Sequence, residues 1–229
     1  MINNDRALPD RARLFIFDMD GTLLPDTTGL LAVASALDTV DEVRELERQF
    51  ADGTLSTVDF SRAVHRLWGV VPDDVARRAF DSCAKLEKIR EVTERIANDG
   101  GISCLITMSQ DFFADHFHEF GFDHVFASPY PRTAEAITAG VPESDILTPE
   151  SKPLIADALC TKHGLRFADT VAFGDSGSDL PLFEQLRHTV AVNGNQRITE
   201  LSSTSYRGNS LLGAYEAALE MIALCRQAS

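Results

Sequence analysis

Five short runs of nearly unbroken apolar residues recur along the chain: RLFIF (13–17), ISCLIT (102–107), HVFAS (124–128), TVAFG (170–174) and TVAV (189–192). Strands covered on both faces read this way, because neither side can be given over to polar groups. Between the runs, EKIREVTERIANDG, DFFADHFHEFG, KPLIADALCTKHG and SDLPLFEQL carry helical periodicity, and a last helix spans roughly 210–226. Strand alternating with helix predicts the α/β class, a parallel sheet flanked by helices. At 229 residues, 44% of them hydrophobic, the chain is long enough to bury such a core as one domain or one domain carrying an insert.

The alternation breaks between residue 26 and about residue 84, where GLLAVASAL, VDEVRELERQFADG, STVDFSRAVHRLWG and PDDVARRAFDSCA offer amphipathic segments and no strand. The expectation is an all-helical insert over 26–84, with a catalytic core made of 1–25 and 85–229. Ser56 with Asp59 is a capping signal, and Pro72 before Asp73 and Asp74 is an ordinary helix opening. The insert follows the first strand directly. It is therefore expected to rise as a lid over that strand's carboxyl end, where open α/β sheets bind their ligands.

Charge narrows the choice of partner. With 21 basic against 35 acidic residues the formal charge is −14, a field that repels a phosphate backbone or an anionic membrane surface. No nucleic-acid or membrane partner is expected. No apolar stretch approaches the ~20 residues a membrane span needs, and the polar start MINNDRALPDRAR has no signal-peptide core, so a cytoplasmic location is expected. Cys83, Cys104, Cys160 and Cys225 have no ligand spacing and read as reduced, mostly buried thiols.

The chemistry sits where the apolar runs end. LFIFDMDGT drives a strand into Asp18 and Asp20, whose i, i+2 spacing turns both toward one side while Met19 points into packing. The second run ends on Thr107, Lys152 opens the next long helix, and the fourth run is followed by GDSGSD, which contains Asp175 and Asp179. Each alone has a plain reading as a turn acid, a capping residue or a solvated lysine; their joint placement at the carboxyl ends of parallel strands does not. Asp18, Asp175 and the backbone carbonyl of Asp20 are hard oxygen donors of the kind Mg²⁺ takes together with a phosphate oxygen. Such an ion and the Lys152 ammonium would offset the repulsion between an attacking carboxylate and a phosphate dianion. Thr107 would bind a phosphoryl oxygen, Asp18 would be the nucleophile, and Asp20 the acid for the leaving alkoxide and then the base for water. One group alone does not suffice. Phosphate-monoester hydrolysis can need up to ~10²¹-fold acceleration, whereas acid–base catalysis supplies roughly 10²- to 10⁴-fold.

Taken in order, DMDGT, Thr107, Lys152 and GDSGSD resemble the four motifs of the haloacid dehalogenase superfamily, over essentially the whole chain. The insert between the first two resembles the small cap of the phosphoserine-phosphatase-like branch, as does DLPLF after the last. The resemblance implies a Rossmann-like core, Mg²⁺ dependence and an aspartyl-phosphate intermediate. By matching position it implies Asp18 as nucleophile, Asp20 as acid/base, Thr107 and Lys152 on the phosphate, and Asp18, Asp20 and Asp175 on the metal. It also implies Asp179 as an orienting acid behind the ligands. Dehalogenating members lack an acid at the position of Asp20, so its presence favours phosphate esters. Phosphonate-cleaving members use a cap lysine, and residues 26–84 contain none.

Substrate is where the sequence departs from that branch. Thr27 and Val64 stand, by ungapped alignment, where phosphoserine phosphatases place an acid for the substrate ammonium and an arginine for its carboxylate. Asp26, Arg62 and Arg66 lie within a small shift of those positions, and the branch's Ser-Gly-Gly run is here Thr107, Met108, Ser109. The expectation is a phosphatase acting on a small phosphorylated metabolite other than phosphoserine. Two alternatives remain: a phosphotransferase or specialised biosynthetic member, and a noncatalytic signalling or binding protein phosphorylated at an aspartate. Elsewhere, His116 and His118 fall on different helix faces and are not expected to share a metal; Phe112, Phe113, Phe117 and Phe120 are expected in the core. Trp68, with His65 and Arg66, is read as a packing residue ahead of a substrate contact.

Overall fold

The computed structural model describes residues 13–227, with side chains through Cys225, so the polar start read over residues 1–12 lies outside the described residues. The strands are β1 (Leu14–Phe17), β2 (Ile102–Gln110), β3 (His124–Ser128), β4 (Val171–Gly174), β5 (His188–Val192) and β6 (Thr204–Tyr206). They form one parallel sheet in the order β3-β2-β1-β4-β5-β6. This is the Rossmann-like α/β architecture. The chain runs outward from β1 to β3, then crosses back to lay β4 on the other side of β1, so the winding direction reverses between β1 and β4. A crevice opens at the carboxyl ends of strands at such a reversal.

Eleven α-helices surround the sheet among the described residues. Four, α1 (Gly29–Ala36), α2 (Val40–Ala51), α3 (Thr57–Trp68) and α4 (Asp73–Ser82), form the segment between β1 and α5 (Ile89–Asn98). The others are α6 (Asp111–Ala114), α7 (Ala134–Ala139), α8 (Ser151–His163), α9 (Leu180–Phe183), α10 (Gln196–Leu201) and α11 (Leu211–Gln227). Among the described residues none is long and apolar enough to cross a membrane.

The period-2 rule of strands sorts the core into two layers. Phe15, Phe17, Phe173, Val190 and Val192 face one side, where Phe17 stacks on Phe173 at 4.5 Å and α5 and α11 close the layer. Leu14, Ile16, Cys104, Ile106 and Ala172 face the other, against Ala156, Leu159 and Cys160 of α8 and the apolar residues of α9. Residues buried on both faces explain the unbroken apolar runs.

The helical segment is no separate ball of side chains. Val33, Val43, Val64, Trp68 and Phe80, drawn from its four helices, belong to the first of these two clusters. Phe80 is the principal link: its ring meets Phe113 at 5.4 Å and Phe117 at 5.2 Å. Removing a buried ring of this kind costs about 3–5 kcal/mol. Ser56 caps α3 by accepting from Asp59 N, and Pro72 precedes α4. Trp68 is a packing residue whose Nε1 donates to Thr39 Oγ1 at 2.9 Å.

Several elements differ from expectation. The second strand runs on to Gln110, past Thr107. The helix expected over 178–186 is reduced to α9 plus a 3₁₀ turn, Pro181 sitting in its first turn. The segment 111–121 winds as a short α-helix and then a 3₁₀ helix ending at Gly121. β6, α7 and α10 carry no strong sequence signal; β6 is an edge strand of three residues, too short for a period to show.

Candidate active site

Main-chain pairing brings the first acids together. Asp18 N donates to Phe173 O at 3.0 Å, continuing the β1–β4 register one step past Phe17 and setting Asp18 beside the turn that holds Asp175. Gly21, at φ +79°, lets the backbone pass close to Asp175; a Cβ there would lie 2.3 Å from Asp175 Oδ2. The DMDG glycine is therefore required twice, for its left-handed conformation and for the approach.

Lys152 enters from the first turn of α8. Its Nζ donates to Asp18 Oδ1 and to Asp179 Oδ1, both at 2.6 Å, and the side chain is 2% exposed. Asp179 Oδ2 accepts from the backbone N–H groups of Asp175 and Ser176 at 3.1 and 3.4 Å, so both of its oxygens are engaged by the protein. It holds the lysine with one oxygen and shapes the GDSGSD turn with the other.

Asp18, Asp175 and Asp179 each offer an oxygen within 4.8 Å of the others. Three carboxylates thus stand against the Lys152 ammonium. Burial pushes the Asp18 carboxyl well above its ordinary range, with Lys152 pulling the other way and Asp179 and Asp175 adding to the rise. The neighbouring carboxylates in turn hold the Lys152 ammonium above its usual range, although burial opposes them. Asp175 is pushed up to about 7, first by burial and then by the charge of Asp179. Its Oδ1 is buried with no hydrogen-bond partner among the described residues. Among the described residues no hydrogen bond engages the Asp20 carbonyl either. An orphaned carboxylate oxygen, excess negative charge and hard oxygen donors together fit a small divalent cation such as Mg²⁺, held by Asp18 and Asp175.

Asp20 belongs to a second cluster. Its Oδ1 accepts from Gly29 N at 2.6 Å, at the N-terminus of α1, and its Oδ2 accepts from Ser109 Oγ at 2.6 Å and Thr107 Oγ1 at 3.3 Å. Burial raises its pKa; the hydrogen bonds from Ser109, Gly29 and Thr107 hold it back. Thr107 Oγ1 also accepts from Ser109 N at 3.1 Å. Asp18, Asp20, Thr107, Lys152, Asp175 and Asp179 therefore meet in one region. The sequence reading assigned Ser109 and Gly29 no role as partners of Asp20. For Ser109 a signal existed, since it lies two positions beyond Thr107 on the same strand face; for Gly29 it was the helix start at Thr28, which caps α1.

The region opens into a cavity of about 750 Å³, walled on one side by Asp18, Asp20, Thr107, Ser109 and Asp175 and on the other by Thr27, Leu30, Leu31, Glu47, Phe50 and Phe60 of the helical segment. Val64 is buried and does not reach it. Arg62 lies 3.9 Å from Glu143, and neither it nor Arg66 lines the cavity. His116 packs on Phe80 at 5.1 Å and His118 is exposed, with no metal grouping between them among the described residues. Cys83, Cys104 and Cys160 are free thiols, Cys104 and Cys160 buried.

The profile of the haloacid dehalogenase-like hydrolases matches residues 15–184, most of the chain and every element just described up to α9. The chain belongs to that family. Within it the relatives are phosphoserine phosphatases: that of Methanocaldococcus jannaschii is 23% identical over 176 residues, 76% of this chain and 82% of its own length. That of Archaeoglobus fulgidus is 22% identical over 202 residues, 88% of this chain and 58% of its own length. A solved phospho-aspartyl intermediate analogue of phosphoserine phosphatase superposes with a TM-score of 0.72 at 19% identity, covering 90% of this chain and 98% of that one. The chain is thus a haloacid dehalogenase-like hydrolase similar to the phosphoserine phosphatases.

Proposed function

We propose that this hydrolase cleaves a small phosphate monoester other than phosphoserine, through an aspartyl-phosphate on Asp18, with Mg²⁺ bound by Asp18, Asp175 and the Asp20 carbonyl. The observation that carries the reading is the buried Lys152–Asp18 pair at 2.6 Å, placed at the β1–β4 reversal next to an Asp175 oxygen that has no partner.

Lys152 takes Asp18 Oδ1 and fixes the carboxylate; among the described residues no hydrogen bond engages Oδ2, the oxygen that attacks phosphorus. As the bond from Oδ2 to phosphorus forms, the bond to the ester oxygen breaks. Asp20, whose burial favours the protonated carboxyl, gives that oxygen its proton. In the second half Asp20 takes a proton from water as water attacks the aspartyl-phosphate, releasing inorganic phosphate and restoring Asp18. Thr107 can turn its hydroxyl from Asp20 to a phosphoryl oxygen at no cost in hydrogen bonds. When bound, the cation supplies charge neutralisation at the phosphoryl oxygens.

Residues 26–84 act as a cap over a core of 1–25 and 85–229, a division supported by a cavity that both line. A substrate other than phosphoserine is supported by Thr27 and Val64 at the two reading positions and by the absence of any arginine or lysine among the described lining residues. The experiment is release of inorganic phosphate from an aryl phosphate with and without Mg²⁺, coupled to acid-quench trapping of the acyl-phosphate. No turnover under any divalent cation would reject the proposal. Transfer to added alcohols in place of water would convert it to the phosphotransferase reading.

A further inference from the structure

We infer that the alcohol carried by the substrate ends in a cationic group, an ammonium on a short alkyl body, and that Glu47 of α2 is the residue that selects it. The inference rests on the phosphatase reading above and adds the chemistry of the leaving group.

Three observations converge. First, the helical wall of the cavity is largely apolar and aromatic: Leu30, Leu31, Phe50 and Phe60 line it, with the two phenyl rings 5.5 Å apart and tilted by 49°. Phe50 is 39% exposed, a large apolar ring left at the cavity with nothing over it. Second, the ionisable groups on that wall are Asp26 and Glu47, both acidic. Third, Glu47 is half-buried, and among the described residues no ion pair or hydrogen bond reaches its carboxylate. Arg44 is close enough to act on its charge but does not line the cavity. Burial first, and then the charge of Asp20, disfavour the ionised form of Glu47 in the absence of a cation.

A carboxylate on the leaving group would enter a space that already holds Asp20, Asp26 and Glu47 and would meet no cation on the way. An ammonium gains from Glu47 by direct attraction and from the faces of Phe50 or Phe60 by cation–π contact. A purely apolar tail gains only the second surface. The site therefore ranks substrates by the charge at the end distant from phosphorus.

The test uses the full chain with Mg²⁺ and three alkyl monophosphates of equal length, ending in ammonium, methyl or carboxylate, with an aryl phosphate assayed in parallel. The expected order of kcat/KM is ammonium, methyl, carboxylate, with about 10-fold between the first two, the scale of one close charge pair. Glu47→Gln should shrink the ammonium-to-methyl ratio by about the same factor. Glu47→Lys should invert the series, putting the carboxylate ester ahead of the ammonium ester. A wild-type preference for the carboxylate ester, or an ammonium-to-methyl ratio that Glu47→Gln leaves alone, overturns the inference. Aryl phosphate turnover with no discrimination among the three esters overturns it while leaving the phosphatase reading intact; failure to turn over the aryl phosphate as well sinks both.

Discussion

The two walls of the cavity differ in kind. The sheet wall is polar, buried and closed by hydrogen bonds: Lys152 ties Asp18 to Asp179, and Asp20 is held by Gly29, Ser109 and Thr107. The helical wall is apolar, aromatic and half-exposed, with two acids, Asp26 and Glu47, of which Glu47 has no ion pair or hydrogen bond among the described residues. A site that must stabilise charge in a transition state needs its dipoles preset, because reorienting them during reaction would consume the gain. A surface that selects a leaving group needs only complementary shape and charge. On the proposed reading, the chemistry is committed by the sheet and the choice of substrate by the insert.

That division is most easily broken at Asp18. Asp18→Asn removes the attacking carboxylate and leaves the sheet wall otherwise in place, so turnover should fall by roughly 10⁴-fold or more for every ester, whatever its leaving group. Steady-state phosphate release and acid-quench trapping of the acyl-phosphate check this; near-normal turnover would mean the nucleophile lies elsewhere. Asp20→Asn ranks next, with kcat lower by roughly 10²- to 10⁴-fold. Its loss should be smallest for aryl esters that depart without a proton. A loss equal across good and poor leaving groups would contradict the acid role and leave Asp20 as a ligand or positioning residue.

Ser109→Ala sharpens the comparison from within the sheet wall. The Ser109 hydroxyl donates to Asp20 Oδ2 at 2.6 Å and works against the rise that burial imposes on that carboxyl. Without it Asp20 should titrate higher and stay protonated to more alkaline pH, shifting the alkaline limb of the kcat/KM profile upward in pH and raising kcat/KM on that limb by about 3- to 30-fold. A profile that keeps its limb while activity falls would show that Ser109 acts on the substrate and not through Asp20.

What could be read in the sequence follows the same line. Four of the six strands were legible because they are buried on both faces and so largely apolar, and the half-buried edge strand β3 was legible from its VFA run. β6 lies at the sheet edge, three residues long and half-exposed, where packing imposes no pattern. The convergence of Asp18, Asp20, Thr107, Lys152 and Asp175 was legible because strand ends and a helix start fix where they project. Ser109 stood in the Thr107–Met108–Ser109 run, but its bond to Asp20 was not legible because composition alone ends the strand at Thr107, two residues short of it. Glu47 was hidden more thoroughly: on an amphipathic helix an acid reads as solvated, and only the turn of α2 toward the cavity distinguishes it from Glu45, which pairs with Arg48 at the surface.

The smallest expected effect concerns the seam between the two walls. His65 of α3 is buried, its Nε2 3.2 Å from Ser61 Oγ and its ring edge-on to Tyr130, which follows β3 and donates its hydroxyl to Gly69 O at 2.6 Å. Burial, with Arg66 nearby, holds the imidazole down to about 4 from its ordinary 6.5. Between those values the unfolded chain takes up a proton that the folded chain refuses, so stability rises with pH across that window. The contribution is fully present above pH 6.5 and is lost as pH falls toward 4. Urea denaturation at pH 7 and pH 5 should therefore show a loss in the wild type that His65→Gln lessens by about 1–2 kcal/mol, carboxylates common to both proteins cancelling in the difference. The same seam joins the insert to the sheet, so acid should release hydrogen-exchange protection in α3 before it does so in β1 and β4. Simultaneous release of all three would mean that the insert and the sheet open as one unit, and that the contrast between the two walls is one of chemistry alone.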